Sequence, residues 1–148
     1  MLSSGIIMYD SPPPLEIWNH RLNWLNQAND EAQHPMASYF VSEHACALSM
    51  DAYNAFCSGA WISVIILAHT VADASLRGED SKSKSAMVFG DDPDLTWLRK
   101  LRNSLVHAQN EAPQITVDDI WRNQEELELN AKRAVKIMFR AIYSDTGT

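Results

Sequence analysis

Apolar residues recur at three- and four-residue spacing through most of the chain, the pattern of one face of a helix. After the prolines at 12–14, Leu15, Trp18, Leu22 and Leu25 predict a first helix that fades near Asn29, with Pro14 suited to its first turn. A second, longer helix is predicted to open at Pro35, to carry Met36, Phe40, Leu48, Ala52 and Phe56 on a broad stripe, and to end at Ser58-Gly59. From residue 60 to residue 77 the chain is apolar almost all round (Trp61, Val64, Ile65, Leu67, Ala68, Val71, Ala72, Leu76), which predicts the central helix of a bundle, stopped by Gly78. ISVII, residues 62–66, reads as strand in isolation, but the length of the pattern around it favours helix.

Residues 79–93, EDSKSKSAMVFGDDP, hold no sustained period and predict a long mobile loop. Asp94 is the expected N-cap of a fourth helix that carries Leu95, Leu98, Leu101 and Leu105 toward a stop at Pro113. The last start signal is the clearest. Thr116 and Asp119 have capping-box spacing, Ile115 and Ile120 stand where a hydrophobic staple would close, and Leu127, Ala131, Val135, Met138 and Ile142 continue the apolar face. The expected fold is an all-α, mostly antiparallel bundle of about five helices. It forms one domain over 1–148, with a flexible stretch at 1–14, an added N-terminal helix at 15–30 and a core bundle at 36–143.

Charge and cysteine content narrow the partners. A formal charge of -7 sets the averaged surface field against phosphate polymers, so a nucleic-acid site must be a local basic patch. Cys46 and Cys57 lack metal or redox spacing and are expected to be buried free thiols. No secretory signal is read at the start, and the most apolar segment, 59–74, is interrupted by Ser63, His69, Thr70 and Asp73. A cytoplasmic protein without a membrane partner is the expectation.

One segment carries polar groups beyond what a solvated helix face requires. In LRKLRNSLVHAQN, residues 98–110, Arg102, Asn103 and His107 lie between leucines at helical spacing. On a continuous helix Asn103 and His107 share a face, and Arg102 lies about 140° from His107, a gap that its length can narrow. Asn103 would fix the imidazole ring, and Arg102 offers a planar, permanently charged fork suited to phosphate. Such a trio can position and polarise a phosphodiester.

Arg102-Asn103-Ser104-Leu105-Val106-His107 resembles the signature of the HEPN (higher eukaryotes and prokaryotes nucleotide-binding) family: Arg, a polar residue, three variable residues and His. GAWISVIILAHTVADASLR, residues 59–77, looks like that family's other core helix, with Asp73 as the acidic residue ahead of Leu76 and Arg77. The resemblance spans roughly 36–143 and rests on these two helices. It implies a metal-independent, cofactor-free endoribonuclease, a toxin or antiviral defence effector, that works as a homodimer with two Arg/His motifs facing one cleft and an antitoxin or regulatory protein as partner. His107 would be general base or acid, Arg102 would stabilise the phosphorane, and Asn103 and Asp73 would orient them. Lys82, Lys84, Arg99 and Lys100 would form a basic rim for RNA substrate. Some toxin members carry a Tyr two residues after the His; here that position is Gln109.

The chemistry fits those residue types. Deprotonating a ribose 2′-hydroxyl calls for a group that titrates near neutrality, and histidine is the side chain that does so unshifted. The developing negative charge calls for a fixed cation. The products would be a 2′,3′-cyclic phosphate and a 5′-hydroxyl. The competing class is a catalytically inactive HEPN-like dimer that binds a nucleotide or a protein through the same groove. His69 and Asp73, four apart, read as half of a metal site, as a buried hydrogen-bonded pair, or with Asp73 committed to Arg77 instead. His20, His34 and His44 are expected in solvent, and the tryptophans at 18, 24, 61, 97 and 121 in core or interface packing.

Overall fold

Six helices make up the regular structure of the described residues, 11–77, 92–107 and 115–144, in a computed structural model of the chain. They are α1 (Leu15–Ala32), α2 (Glu43–Ser58), α3 (Trp61–Leu76), α4 (Pro93–Val106), α5 (Val117–Arg122) and α6 (Gln124–Ile142). The all-helical bundle expected from the periodicity is present. No described helix is long and apolar enough to cross a membrane.

α3 is the hub, as its all-round apolar character demands. It packs most extensively on α6, then on α2, then on α4, while α1 closes the outside against α2 and α6. Val64, Ile65, Ala68 and Val71 of α3 are sealed against Phe56 of α2, Leu98 of α4 and Val135, Met138 and Phe139 of α6. Phe56 is the aromatic centre, stacked on Trp24 at 5.0 Å and meeting the edge of Trp61 at 5.3 Å. Truncating such a ring costs about 3–5 kcal/mol, through lost burial and the cavity left behind.

The α2–α3 link is the tightest turn. Gly59 adopts φ 84°, a left-handed conformation that an L side chain resists, and its N–H caps α2 by donating to the carbonyls of Ala55 and Phe56. A Cβ there would also come within 3.0 Å of Arg21 Nη1. Arg21 reaches across from α1 to donate to the Cys57 carbonyl at 3.1 Å, with its guanidinium 4.9 Å from the Trp61 ring centroid. One side chain thus ties α1 to both helices of the turn.

Several boundaries differ from the sequence expectation. α1 runs on to Ala32. α2 begins at Glu43 rather than at Pro35: the Ser42 hydroxyl accepts from the Ala45 N–H at 3.0 Å, while residues 34–37 form a turn closed by Ala37 N–H on the His34 carbonyl. Met36 and Phe40, assigned to the buried stripe, are 90% and 75% exposed. At α4 the cap is Asp92, whose carboxylate accepts from the Asp94 N–H at 2.8 Å, and Pro93 occupies the first turn, so Asp94 is already helical.

The capping box at Thr116 and Asp119 forms in both directions: the Asp119 N–H donates to the Thr116 hydroxyl, and the Thr116 N–H donates to the Asp119 carboxylate. The helix it starts is only six residues long, because Asn123 interrupts it with φ -107° and ψ 31° and α6 begins at Gln124. Asn123 donates its side-chain amide back to Asp119 at 3.0 Å, a local bond that competes with helix propagation. Trp121, on this short helix, is half exposed instead of packed. Of the two thiols, both free, Cys57 is buried as expected and Cys46 is exposed. Gly78, residues 79–91 of the loop expected at 79–93, and Pro113 lie outside the described residues.

Candidate functional site

α4 presents Arg102 one turn beyond Leu98, a residue with no solvent exposure that anchors the helix on the core. Residues four apart share a helix face, so the guanidinium is drawn to the edge of the buried stripe instead of out into water. Arg102 is half-buried. Its Nη1 donates to Asn103 Oδ1 at 2.8 Å, and its Nε is buried without a hydrogen-bond partner among the described residues. A buried donor left unmatched costs about 1–3 kcal/mol, and more when the group is charged. An arriving anion is one way to recover that loss, since phosphate oxygens match the guanidinium fork.

His107 is placed otherwise than a continuous helix predicts. α4 ends at Val106, and His107 is its C-terminal cap, with extended backbone (φ -106°, ψ 118°) and an N–H that donates to the Asn103 carbonyl at 2.9 Å. The 140° separation from Arg102 calculated along a helix therefore does not apply. The side chain of His107 is exposed. Asn103 is linked to both members of the motif, but its carboxamide oxygen holds Arg102 and only its backbone carbonyl reaches His107.

On α3, Asp73 accepts from Arg77 Nε at 2.9 Å, so the acidic residue engages its own helix. No hydrogen bond or ion pair joins it to Arg102 or His107 among the described residues. An exposed i,i+4 pair of this kind contributes about 0.3–0.5 kcal/mol. Arg99 and Lys100 are exposed on α4 a turn or less before Arg102. Lys82 and Lys84 lie outside the described residues.

The residue that the motif does not include is His69. It is half-buried on α3, four positions before Asp73. Burial pushes its imidazole below the ordinary histidine value of 6.5; the Arg102 guanidinium pushes the same way, Asp73 opposes, and Arg99 and Arg77 add smaller downward effects. The electrostatic partners of this imidazole thus come from both α3 and α4, and the strongest of them is the signature arginine. Its signal in the sequence was a histidine and a carboxylate at i,i+4 on an otherwise apolar helix; which arginine of another helix faced them was not available from spacing.

The described surface grooves lie elsewhere. One runs between Gly59–Ser63 and Ile120, Gln124 and Leu127, another among Ala28, Glu31, Ala32, Lys136 and Arg140, and neither includes Arg102, His107 or His69. Among the described residues, no three of His, Cys, Asp and Glu converge as a metal cage. No family model, curated protein or solved structure matches the chain.

Proposed function

We propose that this chain is an endoribonuclease of the HEPN type, which cuts RNA without a metal by attack of a 2′-hydroxyl on the adjacent phosphorus. The observation that carries this reading is the half-buried Arg102, with a permanently charged guanidinium whose Nε has no acceptor among the described residues. In an acidic chain of net charge -7, Arg102 and Arg99 of α4 and Arg77 at the end of α3 all bear on His69, a local exception to the overall field. Arg102 would hold the phosphodiester and stabilise the phosphorane, Asn103 would fix the guanidinium, and His107 would move a proton. As in the family it resembles, a toxin or defence role, a homodimer and a restraining protein partner belong to this reading.

The test is cleavage of single-stranded RNA in EDTA. Wild type should yield 2′,3′-cyclic phosphate and 5′-hydroxyl ends, and Arg102→Ala should lose about 10²–10³-fold in rate, the usual cost of removing one charge-stabilising donor. Cleavage that survives Arg102→Ala unchanged would sink the proposal. The exposed side chain of His107, with no partner among the described residues, favours a second reading, a catalytically silent HEPN-like dimer that binds nucleotide or protein through this face. Saturable, Arg102-dependent RNA binding with no product would select it.

A further inference from the structure

We propose that the pocket between α1, α2 and α6 is a binding site for a small neutral amide. It shares no residue with the Arg102 motif and does not rest on the ribonuclease reading.

The pocket is lined by Leu22, Leu25, Asn26 and Asn29 of α1, Tyr53 of α2 and Phe139 of α6, and its volume is about 100 Å³. Leu25 and Phe139 are buried, Tyr53 and Asn29 are half-buried, and Leu22 and Asn26 are exposed, so the lining grades from a dry apolar floor to a wet rim. The Tyr53 and Phe139 rings lie 6.0 Å apart between centroids. The two asparagines, three positions apart, share one face of α1. No Asp, Glu, Lys, Arg or His lines the pocket.

Its hydrogen-bonding groups are partly committed. Tyr143 donates its hydroxyl to Asn29 Oδ1, and the Tyr143 ring is held in turn by Phe139 at 6.4 Å and by an edge contact with Tyr39 at 4.8 Å. Asn29 thus has its oxygen engaged, while its Nδ2 has two hydrogens and no acceptor among the described residues. The Asn26 carboxamide makes no hydrogen bond among the described residues, and it offers both an acceptor and a donor.

Each property removes a class of occupant. An ion would lose water here without gaining a counter-charge. A plain hydrocarbon would match Leu25 and Phe139 but strip water from the Asn29 donor and return nothing. A cavity of about 150 Å³ takes benzene, so this one takes a molecule of about five non-hydrogen atoms. What remains is a short alkyl chain that ends in an amide. The alkyl group would lie on Leu25 and Phe139, the carbonyl would accept from Asn29 Nδ2, and the amide N–H would donate to Asn26 Oδ1. Such a molecule bridges α1 to α2 and α6, the two helices on which α1 closes the bundle.

The probe is propionamide, compared with propionate and butanone, which match it in size but carry a charge or lack the N–H. Full-length wild type, Asn26→Ala, Asn29→Ala and Tyr143→Phe are titrated with each, followed by NMR of the side-chain amides, with circular dichroism checking the fold. In wild type, propionamide should shift the Asn26 and Asn29 signals, assigned by their loss in the Ala variants. The shifts should saturate at about millimolar concentration, the strength that so few atoms can supply. Propionate and butanone should bind about tenfold more weakly or less, and Asn29→Ala should cost propionamide about tenfold, the equivalent of one net hydrogen bond. Tyr143→Phe keeps the donor but frees the carboxamide to turn, and should weaken binding severalfold. Propionamide should also raise the melting temperature of wild type and not that of Asn29→Ala.

Equal binding of the three probes, shifts that grow without saturating, or an affinity unchanged in both Ala variants overturns the proposal. Should Asn29→Ala fail to fold, Asn26→Ala and Tyr143→Phe decide it on the same terms, and wild-type affinity in both overturns it.

Discussion

The two ends of α4 treat charge in opposite ways. At the N-terminus, Asp92 and Asp94 are saturated: Arg133 donates to Asp94 Oδ1 at 3.0 Å, Arg140 donates to Asp94 Oδ2 at 3.2 Å and to Asp92, and Asp92 also caps the helix. The cations come from α6, so these pairs fasten two helices, and Arg133 lies in addition 3.9 Å from the Trp97 ring centroid. Toward the C-terminus, among the described residues, Arg102 is held by one short-range bond to Asn103 and keeps a buried Nε unmatched. A carboxylate at a helix start is stabilised by the backbone dipole and needs no ligand. At the second end a half-buried guanidinium keeps one donor without a partner among the described residues. The first end fastens two helices, and the second is the part on which the proposed function rests.

The sharpest break of this comparison is functional. Against the Arg102→Ala loss of about 10²–10³-fold in cleavage, Asp94→Ala should leave the cleavage rate within about twofold of wild type. Stability should run the other way: Arg102→Ala should unfold near the wild-type temperature, since it removes one bond to the neighbouring Asn103 and a buried Nε with no partner among the described residues, while Asp94→Ala should melt lower. Equal effects of the two variants on both readouts would erase the distinction between the two ends.

Next in size is Asp92→Ala. It removes a helix cap and the Arg140 ion pair together, and Asp92 is the more buried of the two acids, at 18% side-chain exposure. A lost cap costs about 1 kcal/mol and a partly shielded pair a similar amount, which together lower the melting temperature by several degrees in a chain of this size. A far smaller change in chemical denaturation would mean that the α4–α6 pairs are ornament on a helix held by Leu95 and Leu98.

The same contrast explains what could be read from the chain beforehand. Residues whose role is decided locally were legible. α3 is apolar all round and becomes the hub, and Thr116 and Asp119 cap at three-residue spacing. Where two local signals competed, periodicity misled. Met36 and Phe40 have the right spacing for α2, but Ser42 offers the better cap and Pro35 sits in a turn, leaving both apolar side chains in solvent. α4 stops before His107 through its last turn: Ser104 turns its hydroxyl onto the Leu101 carbonyl at 2.7 Å, and β-branched Val106 follows, exposed. The place of His69 required the register of α3 against α4, which no spacing within one helix encodes.

The smallest effects separate the two ends by pH. Asp94 is depressed below its ordinary 3.8, first by its hydrogen bond from Arg133 and further by Arg140. The folded state therefore holds the carboxylate ionised more strongly than the unfolded chain does, and this contribution is fully present above 3.8 and disappears as pH falls through the lower folded value. His69 is also depressed, from 6.5, first by burial and then by Arg102, but for a base the consequence lies in another window. The folded state binds fewer protons there than the unfolded chain, so stability declines as pH drops from 6.5 to the lower folded value and then levels. Both groups are partly exposed, so each slope is shallow. Melting temperatures across the acid range should show the mildly acidic slope reduced in His69→Gln with the strongly acidic one intact, and the reverse in Asp94→Asn. If one substitution flattened both slopes, the two ends of α4 would titrate as a single linked network, and the separation between architecture and site would not hold.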